Sequence, residues 1–469
     1  MINQNRNKRL RALLPVVFTL AWPTMLEELM QTAVQYIDTA MVGRLGTDAT
    51  AAVGSTVTVN WLIGTTVYAF GIGFLAYVSQ ALGAGEGERA RRASAQSVLM
   101  VLLTGGLFTV LTASLSRYIP VWMQVDERLR PIAARYFLIV YLPMLPRAAS
   151  VIFGTVLRAA GDTKTPMRIG VGVNVLNVLL NFLLIYPNRA VSVFGRTVSL
   201  WGAGLNVTGA AIASAVSFTF GGAAITIALF RHRTISPRGF SVKPDRTILR
   251  PIFRISVPNM AQRFTTSLGY VVFASMINAL GDISTAAHTV ANTVESAFYI
   301  PGYGMQAAAA TLTGNAIGMR DRRRQKDLSL LIILLEVAMM LVTGSLLFAF
   351  APGMVRLFSH DPPVIALGST VLRMVAVSEP IYGISIVVEG MLQGAGKTKA
   401  PFLFNVIGMW GVRILGTFLF TRYWNGDLIS AWGCMIAHNL LLCLLFVSYY
   451  RKLERTALYG EDSDLSGVL

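Results

Sequence analysis

Apolar residues run along this chain in long unbroken stretches, not in the one-faced spacing of a helix that turns its other side to water. Ala51–Gly85, Ala93–Ser116, Ile169–Asn188, Thr197–Phe230 and Leu428–Tyr450 contain no Asp, Glu, Lys or Arg. About 20 apolar residues cross a bilayer, so each of these stretches can do so. One of them could be a buried soluble helix, but five could not. With the less uniform stretches included, the pattern predicts twelve spans near 12–43, 51–83, 93–116, 131–158, 166–187, 201–230, 251–280, 285–318, 328–350, 364–394, 401–421 and 428–450. Only helices and closed barrels satisfy every backbone polar group in lipid, and these stretches are too long for barrel strands. The expectation is an all-α polytopic membrane protein.

The polar intervals between the spans set a direction. The N-terminus, 89–92, 158–168, 231–254, 320–326, 397–399 and the C-terminus fall on one side and hold 27 Lys and Arg. The other side holds eight: Arg44, Arg117, Arg128, Arg130, Arg189, Arg196, Arg356 and Arg422. The positive-inside rule places the richer side, with both termini, in the cytoplasm of a bacterial inner membrane. The net charge of +17 would suit a nucleic-acid binder, but these residues recur between spans instead of forming one patch, so no nucleic-acid partner is expected. Charged residues make up 13% of the chain, against about 25% in a soluble domain. Cys434 and Cys443 sit in the last span and read as small apolar side chains, not as a disulfide or metal framework. Arg6, Lys8, Arg9 and Arg11 precede an apolar stretch too long for a cleavable signal.

The chain repeats itself at an offset of 235 residues. Leu157-Arg-Ala-Ala-Gly-Asp-Thr-Lys-Thr-Pro166 aligns with Leu392-Gln-Gly-Ala-Gly-Lys-Thr-Lys-Ala-Pro401, Pro23 with Pro258, Gly46 with Gly281, and Gly83 with Gly318, all without a gap. Six spans per half bring each half back to the side where it began. The repeat is therefore parallel, with a pseudo-two-fold axis along the membrane normal. This predicts an N-terminal lobe over 1–230, a basic linker over 231–250 containing Pro237, Gly239 and Pro244, and a C-terminal lobe over 251–469.

Several local motifs, taken in order, carry a resemblance. They are Asp38-Thr-Ala-Met-Val-Gly43, Gly161-Asp-Thr-Lys-Thr-Pro166 with its repeat partner, Asn174-Val-Leu-Asn-Val-Leu-Leu-Asn181, Gly209-Ala-Ala-Ile-Ala213 and Ala286-Ala-His288. With twelve spans in two halves, the chain resembles bacterial members of the multidrug and toxic compound extrusion (MATE) family over nearly its whole length. The resemblance implies a secondary antiporter that exports small organic cations or drugs against protons or sodium by alternating access. It needs no cofactor beyond the transported ion, and its surroundings are membrane lipids. A monomer is expected. The alternative is a flippase for a lipid-linked precursor from the same superfamily, which would favour more helices and a strongly cationic cavity. A membrane enzyme is disfavoured, because no nucleophile–base set, metal cluster or phosphate loop is present in a span.

An ionisable residue inside a span usually faces a cavity or a partner. Asp38 lies roughly 7 Å inside the outer end of the first span, Asn181 about 9 Å inside that of the fifth, and Thr208 about 10 Å inside that of the sixth. Asn177 is one turn deeper than Asn181 on the same face. Together they offer a carboxylate, two amide oxygens and a hydroxyl, the ligands a hard cation takes. Removing a carboxylate from water also favours its neutral form, so a proton or sodium at Asp38 can neutralise it. An Asp capping a loop is the competing reading. The resemblance implies that the first-span Asp and the fifth-span polar residues bind the coupling cation, and that Pro23 permits this span to bend. Some members carry Asp where this chain has Asn181, so one negative charge is absent here.

Phe273 occupies the repeat position of Asp38, so coupling is expected in the N-terminal half. One branch of the family carries acids in the seventh and tenth spans, where this chain has Thr266 and Tyr382. Glu379 and Glu389 in the tenth span are candidates to replace them, or members of buried ion pairs with Arg147, Arg263, Arg373 or Arg413. Glu27, Glu28, Tyr36, Trp61, Glu295, Glu379 and Glu389 are candidate cavity residues for a cationic substrate, with Tyr77, Phe264 and Met260 as further apolar lining. Glu336 reads as a weaker candidate. His288 reads as a packing or hydrogen-bonding residue.

Overall fold

The structure is a computed structural model that describes residues 2–54, 56–193 and 196–456, with side chains left out at 2–5, 57–62, 189–193, 196–200 and 456. The first half contains α1 (Ile2–Gly43), α2 (Thr47–Gly54), α3 (Val57–Gly83), α4 (Gly87–Leu115), the single turn α5 (Ile119–Trp122), α6 (Arg130–Tyr141), α7 (Met144–Ala159) and α8 (Lys164–Leu184). Strands β1 (Pro187–Val193) and β2 (Arg196–Ala203) then pair as an antiparallel hairpin before α9 (Asn206–Arg231). The second half contains α10 (Arg246–Asn278), α11 (Asp282–Gly318), α12 (Arg322–Arg356), α13 (Pro362–Gly394), α14 (Lys399–Val406), a π-helical stretch (Ile407–Ile414), α15 (Leu415–Tyr423) and α16 (Leu428–Thr456).

Among the described residues, nine helices are long and apolar enough to cross a membrane, or ten when α6 and α7 count as one span bent by 48°. That bend falls at Pro143, the residue before α7, where a proline interrupts the helical hydrogen-bond ladder. The predicted second span is α2 followed by α3. The predicted eleventh span holds together through the π stretch, an insertion of the kind that often marks a functional position. α4 shows what surrounds the chain: it buries Ser94, Gln96, Ser97, Thr104 and Thr112 while exposing Leu103, Leu107 and Val110. Apolar side chains facing outward and polar ones inward suit lipid, not water.

The repeat is visible in the backbone. α3 and α11 end at Gly83 and Gly318, α7 and α13 at Ala159 and Gly394, and α8 and α14 begin at Lys164 and Lys399, each pair 235 residues apart. Left-handed φ values recur at the same offset: Gly46 and Gly281 (108° and 102°), Gly85 and Arg320 (76° and 54°), Gly161 and Gly396 (83° and 72°).

Two compact units can be told apart. Unit 1 comprises 1–28, 75–86 and 250–469, and unit 2 comprises 29–74 and 87–249. In unit 1, α1, α11, α12, α13 and α16 bury one core around Leu20, Ala309, Met391 and Phe446, and a second gathers Phe273, Val371 and Trp432. The end of α3 crosses α11 reciprocally. A Cβ on Gly83 would lie 2.1 Å from the Asn315 carbonyl oxygen, and one on Gly318 would lie 2.1 Å from that of Gln80. Gln80 and Asn315 are themselves repeat partners, so one close backbone crossing is used twice. In unit 2 the basic linker is held down. Gln96 of α4 donates to the carbonyls of Ser241 and Lys243 and accepts from the Asp245 N–H, while Arg91 donates to those of Arg233 and Thr234.

Candidate functional site: an acid and two amides in unit 2

Three helices of unit 2 bring polar side chains to one place. α1 carries Asp38 five residues before its end at Gly43, and α8 carries Asn177 and Asn181 on one face close to its end at Leu184. Asp38 is half-buried, and Asn177 and Asn181 are 6% and 1% exposed. Asn181 Nδ2 donates to Asp38 Oδ1 at 2.6 Å and to Asn177 Oδ1 at 3.1 Å. Asn177 Nδ2 donates to Ser214 Oγ on α9 at 3.3 Å. Asn181 Oδ1 has no hydrogen-bond partner among the described residues. An apolar cluster of Val42, Ala49, Ile185, Val207 and Ala210, with Tyr136 and Tyr186 against it, packs beside the helix ends. The Tyr186 hydroxyl donates to the Met41 carbonyl and ties the end of α1 to the segment after α8.

Turned end for end, the Asn177 amide donates to Asp38 Oδ1 at 2.9 Å and to Oδ2 at 3.1 Å, the orientation that suits an ionised carboxylate. With the amides turned suitably, the carboxylate, the two amide oxygens and Ser214 Oγ form an all-oxygen set that also suits a small hard cation.

The structure unites Asp38, Asn177 and Asn181 as the sequence predicts, but Thr208 makes no hydrogen bond with them. The sequence placed the sixth span from 201. The hairpin and the turn after it occupy the chain as far as Leu205, so Thr208 is the third residue of α9 and lies too close to its end. Ser214, further along the helix, is the α9 hydroxyl that hydrogen-bonds Asn177. Pro23 is buried within an unbroken α1, and the boundary between the units falls on the same helix, between Glu28 and Leu29. The adjacent Thr24 hydroxyl donates to the Gly304 carbonyl of α11 at 2.8 Å.

The remaining candidates scatter. Glu27 and Glu28 are half-buried and Tyr36 is exposed, while the Trp61 side chain lies outside the described residues. Tyr77 is buried, Met260 half-buried and Phe264 exposed. In unit 1, Glu389 accepts from Gln262 (2.8 Å) and Gln393 (3.1 Å). Glu295 and Glu379 are 5% and 1% exposed. His288 accepts from Trp432 Nε1 at 3.2 Å and packs edge-on between that ring and Phe273, a packing role as expected. Arg413 stacks over Phe273 at 4.1 Å and Tyr270 at 4.9 Å.

Long helices with apolar outer faces, internally repeated and carrying a half-buried acid among amides, define a polytopic membrane protein. The family profile named MatE matches residues 23–183 and 258–419, two blocks that begin 235 residues apart. The chain belongs to that family. A probable multidrug resistance protein NorM from Thermotoga maritima is 26% identical over 433 residues, covering 92% of this chain and 91% of the relative. Crystal structures of a MATE protein in straight and in bent conformations superpose with TM-scores of 0.85 and 0.84 at 22% identity, each covering 94% of this chain and 96% and 95% of theirs. That likeness fixes the fold.

Proposed function

We propose that this chain is a secondary efflux antiporter that exports small organic cations or drugs in exchange for protons or sodium, with Asp38 as the coupling group. The observation that carries the reading is the Asp38–Asn177–Asn181 cluster, which sets one carboxylate against two buried amides where a proton or a sodium ion can neutralise it. Cation binding and release at Asp38 would then bias α1, with Pro23 as the flexible point and the Asn177 amide as the internal responder. The relative named as a probable multidrug resistance protein supports drug export, and the excess of Lys and Arg on alternate loops supports an inner-membrane orientation with both termini in the cytoplasm. The offset repeat supports two lobes, 1–230 and 251–469, joined by 231–250.

The test is dye efflux from proteoliposomes under separately imposed proton and sodium gradients. Asp38→Asn keeps the side chain's size and removes its charge, so gradient-driven efflux should be lost while the thermal unfolding curve stays in place. Gradient-driven efflux that persists in this variant rejects the assignment.

A further inference from the structure

α9 ends beside a cavity that has no part in the scheme above. Thr226, Ile227, Phe230, Arg231 and Arg238 line an open space of about 260 Å³ at the basic end of this helix, all within unit 2. Arg231 closes the last turn of α9, and Arg238 comes back to it from the linker. Neither guanidinium makes a hydrogen bond or an ion pair among the described residues. Asp162 neighbours His232, but no acid is part of the cavity wall.

The turn after α9 holds this geometry. His232 leaves the helix with extended backbone, and its Nδ1 accepts from the Thr234 and Ile235 N–H groups at 3.3 and 3.4 Å. The Ser236 hydroxyl donates to the Phe230 carbonyl at 2.8 Å, which satisfies an acceptor left open at the helix end. It also accepts from the Arg238 N–H at 3.4 Å. Ile235 and Pro237 are buried, the Phe240 N–H donates to the Pro237 carbonyl, and Gly239 takes a φ of 81° that suits a reversal of the chain.

An apolar track leads to the cavity. Val216, Phe220, Ala223 and Ile227 follow at intervals of four, three and four residues, so they share one face of α9. All four are exposed. A different face of the helix packs on α7, where a Cβ on Gly222 would lie 2.3 Å from Pro146 Cβ. The track is about 16 Å long at the rise of an α-helix, close to the hydrocarbon depth of one leaflet.

Two guanidinium groups without partners at the end of an apolar track fit one kind of ligand, an anionic head on hydrocarbon chains. A phosphodiester suits the head, because the planar fork of Arg matches phosphate oxygens in pairs. Basic pockets at the ends of membrane helices take acidic lipid headgroups on the same principle. We propose that this cavity binds an anionic phospholipid, with its phosphate between Arg231 and Arg238 and one acyl chain along the track from Ile227 to Val216. The site does not depend on the coupling role of Asp38, and its test reads no transport.

The full chain is purified in neutral detergent, and its unfolding temperature is followed as dioctanoyl phosphatidylglycerol is added. Dioctanoyl phosphatidylcholine carries the same chains without net charge; glycerol phosphate and inorganic phosphate carry charge without chains. Phosphatidylglycerol should raise the unfolding temperature, and the three controls should not. Arg231→Gln combined with Arg238→Gln should raise the concentration required by about 30-fold. Both side chains are exposed, so the lipid-free unfolding temperature should stay in place. Arg233→Gln combined with Arg246→Gln removes the same charge from the linker outside the cavity wall and should leave the response unchanged. Ile227→Trp fills the apolar side of the cavity, keeps both charges and should also weaken the response. The proposal is overturned if phosphatidylcholine or either soluble phosphate matches phosphatidylglycerol, if the two double variants weaken the response equally, or if neither the Arg231 and Arg238 pair of substitutions nor Ile227→Trp alters it.

Discussion

Replacing Asn181 with Asp sets a second carboxylate against Asp38. In the native site the Asn181 amide donates to Asp38 at 2.6 Å. The variant exchanges that donor for an acceptor and loses a charge-assisted hydrogen bond worth about 1.5–3 kcal/mol. Two carboxylates whose charges lie ~4 Å apart repel by about 4 kcal/mol at an effective dielectric of about 20. A proton shared between them or a sodium ion bound by both relieves the repulsion. The Asn177 amide oxygen and Ser214 Oγ already stand by as further ligands. Since about 1.4 kcal/mol is a factor of ten, the gain in sodium affinity has a ceiling near 10³-fold. The assay is thermal unfolding of the detergent-solubilised protein at alkaline pH across a sodium series, with choline as the control cation. Sodium at about 100 times its dissociation constant stabilises a protein that binds it by about 2.7 kcal/mol. The variant should show a sodium-specific rise in unfolding temperature that the native protein lacks or shows only at much higher concentration. A variant indifferent to sodium, or a native protein equally responsive, refutes the reasoning.

Three further substitutions test the packing within each unit. Gly83→Ala and Gly318→Ala each force a methyl group against a carbonyl oxygen at 2.1 Å; each should destabilise the protein by about 1–3 kcal/mol, read as a lower unfolding temperature, and the two effects should match because the contacts are repeat-related. Gln96→Ala removes the side chain that accepts from the Asp245 N–H and donates to the Ser241 and Lys243 carbonyls. Each bond is worth about 1 kcal/mol, so amide hydrogen exchange at Asp245 should accelerate several-fold while exchange in α7 and α13 is unchanged.

The sequence carried the fold because lipid leaves little freedom: uncharged length, alternating basic loops and a gapless repeat each constrain the same arrangement. It located Asp38, Asn177 and Asn181 because helix rise converts residue counts into depth. It missed Ser214 because the uncharged stretch from Thr197 merges with α9 and hides the second strand of the hairpin, β2. That segment alternates Val, Ser and Thr as a strand does, a signal outweighed by the absence of charge.

The contrast between Asp38 and its repeat partner explains why a duplicated scaffold need not duplicate its chemistry. Phe273 stands at the equivalent position and is 1% exposed. Over its face, at 4.1 Å, lies the guanidinium of Arg413, itself 3% exposed and carried on the π stretch. An aromatic face attracts a cation, more strongly when both are desolvated. In unit 1 the protein thus supplies a permanent positive charge beside an uncharged ring. In unit 2 it supplies a charge of the opposite sign beside amides that can turn, and leaves the positive charge to be brought in. Only the second arrangement can be filled and emptied. The Phe273–Arg413 contact is held by packing, whereas on the proposed coupling role the Asp38 cluster would change its hydrogen bonding each time a cation arrives or leaves. The asymmetry extends beyond that exchange of acid for aromatic: the repeat positions of Asn177, Asn181 and Ser214 hold Val412, Gly416 and Tyr449, so none of the polar groups of the cluster is duplicated.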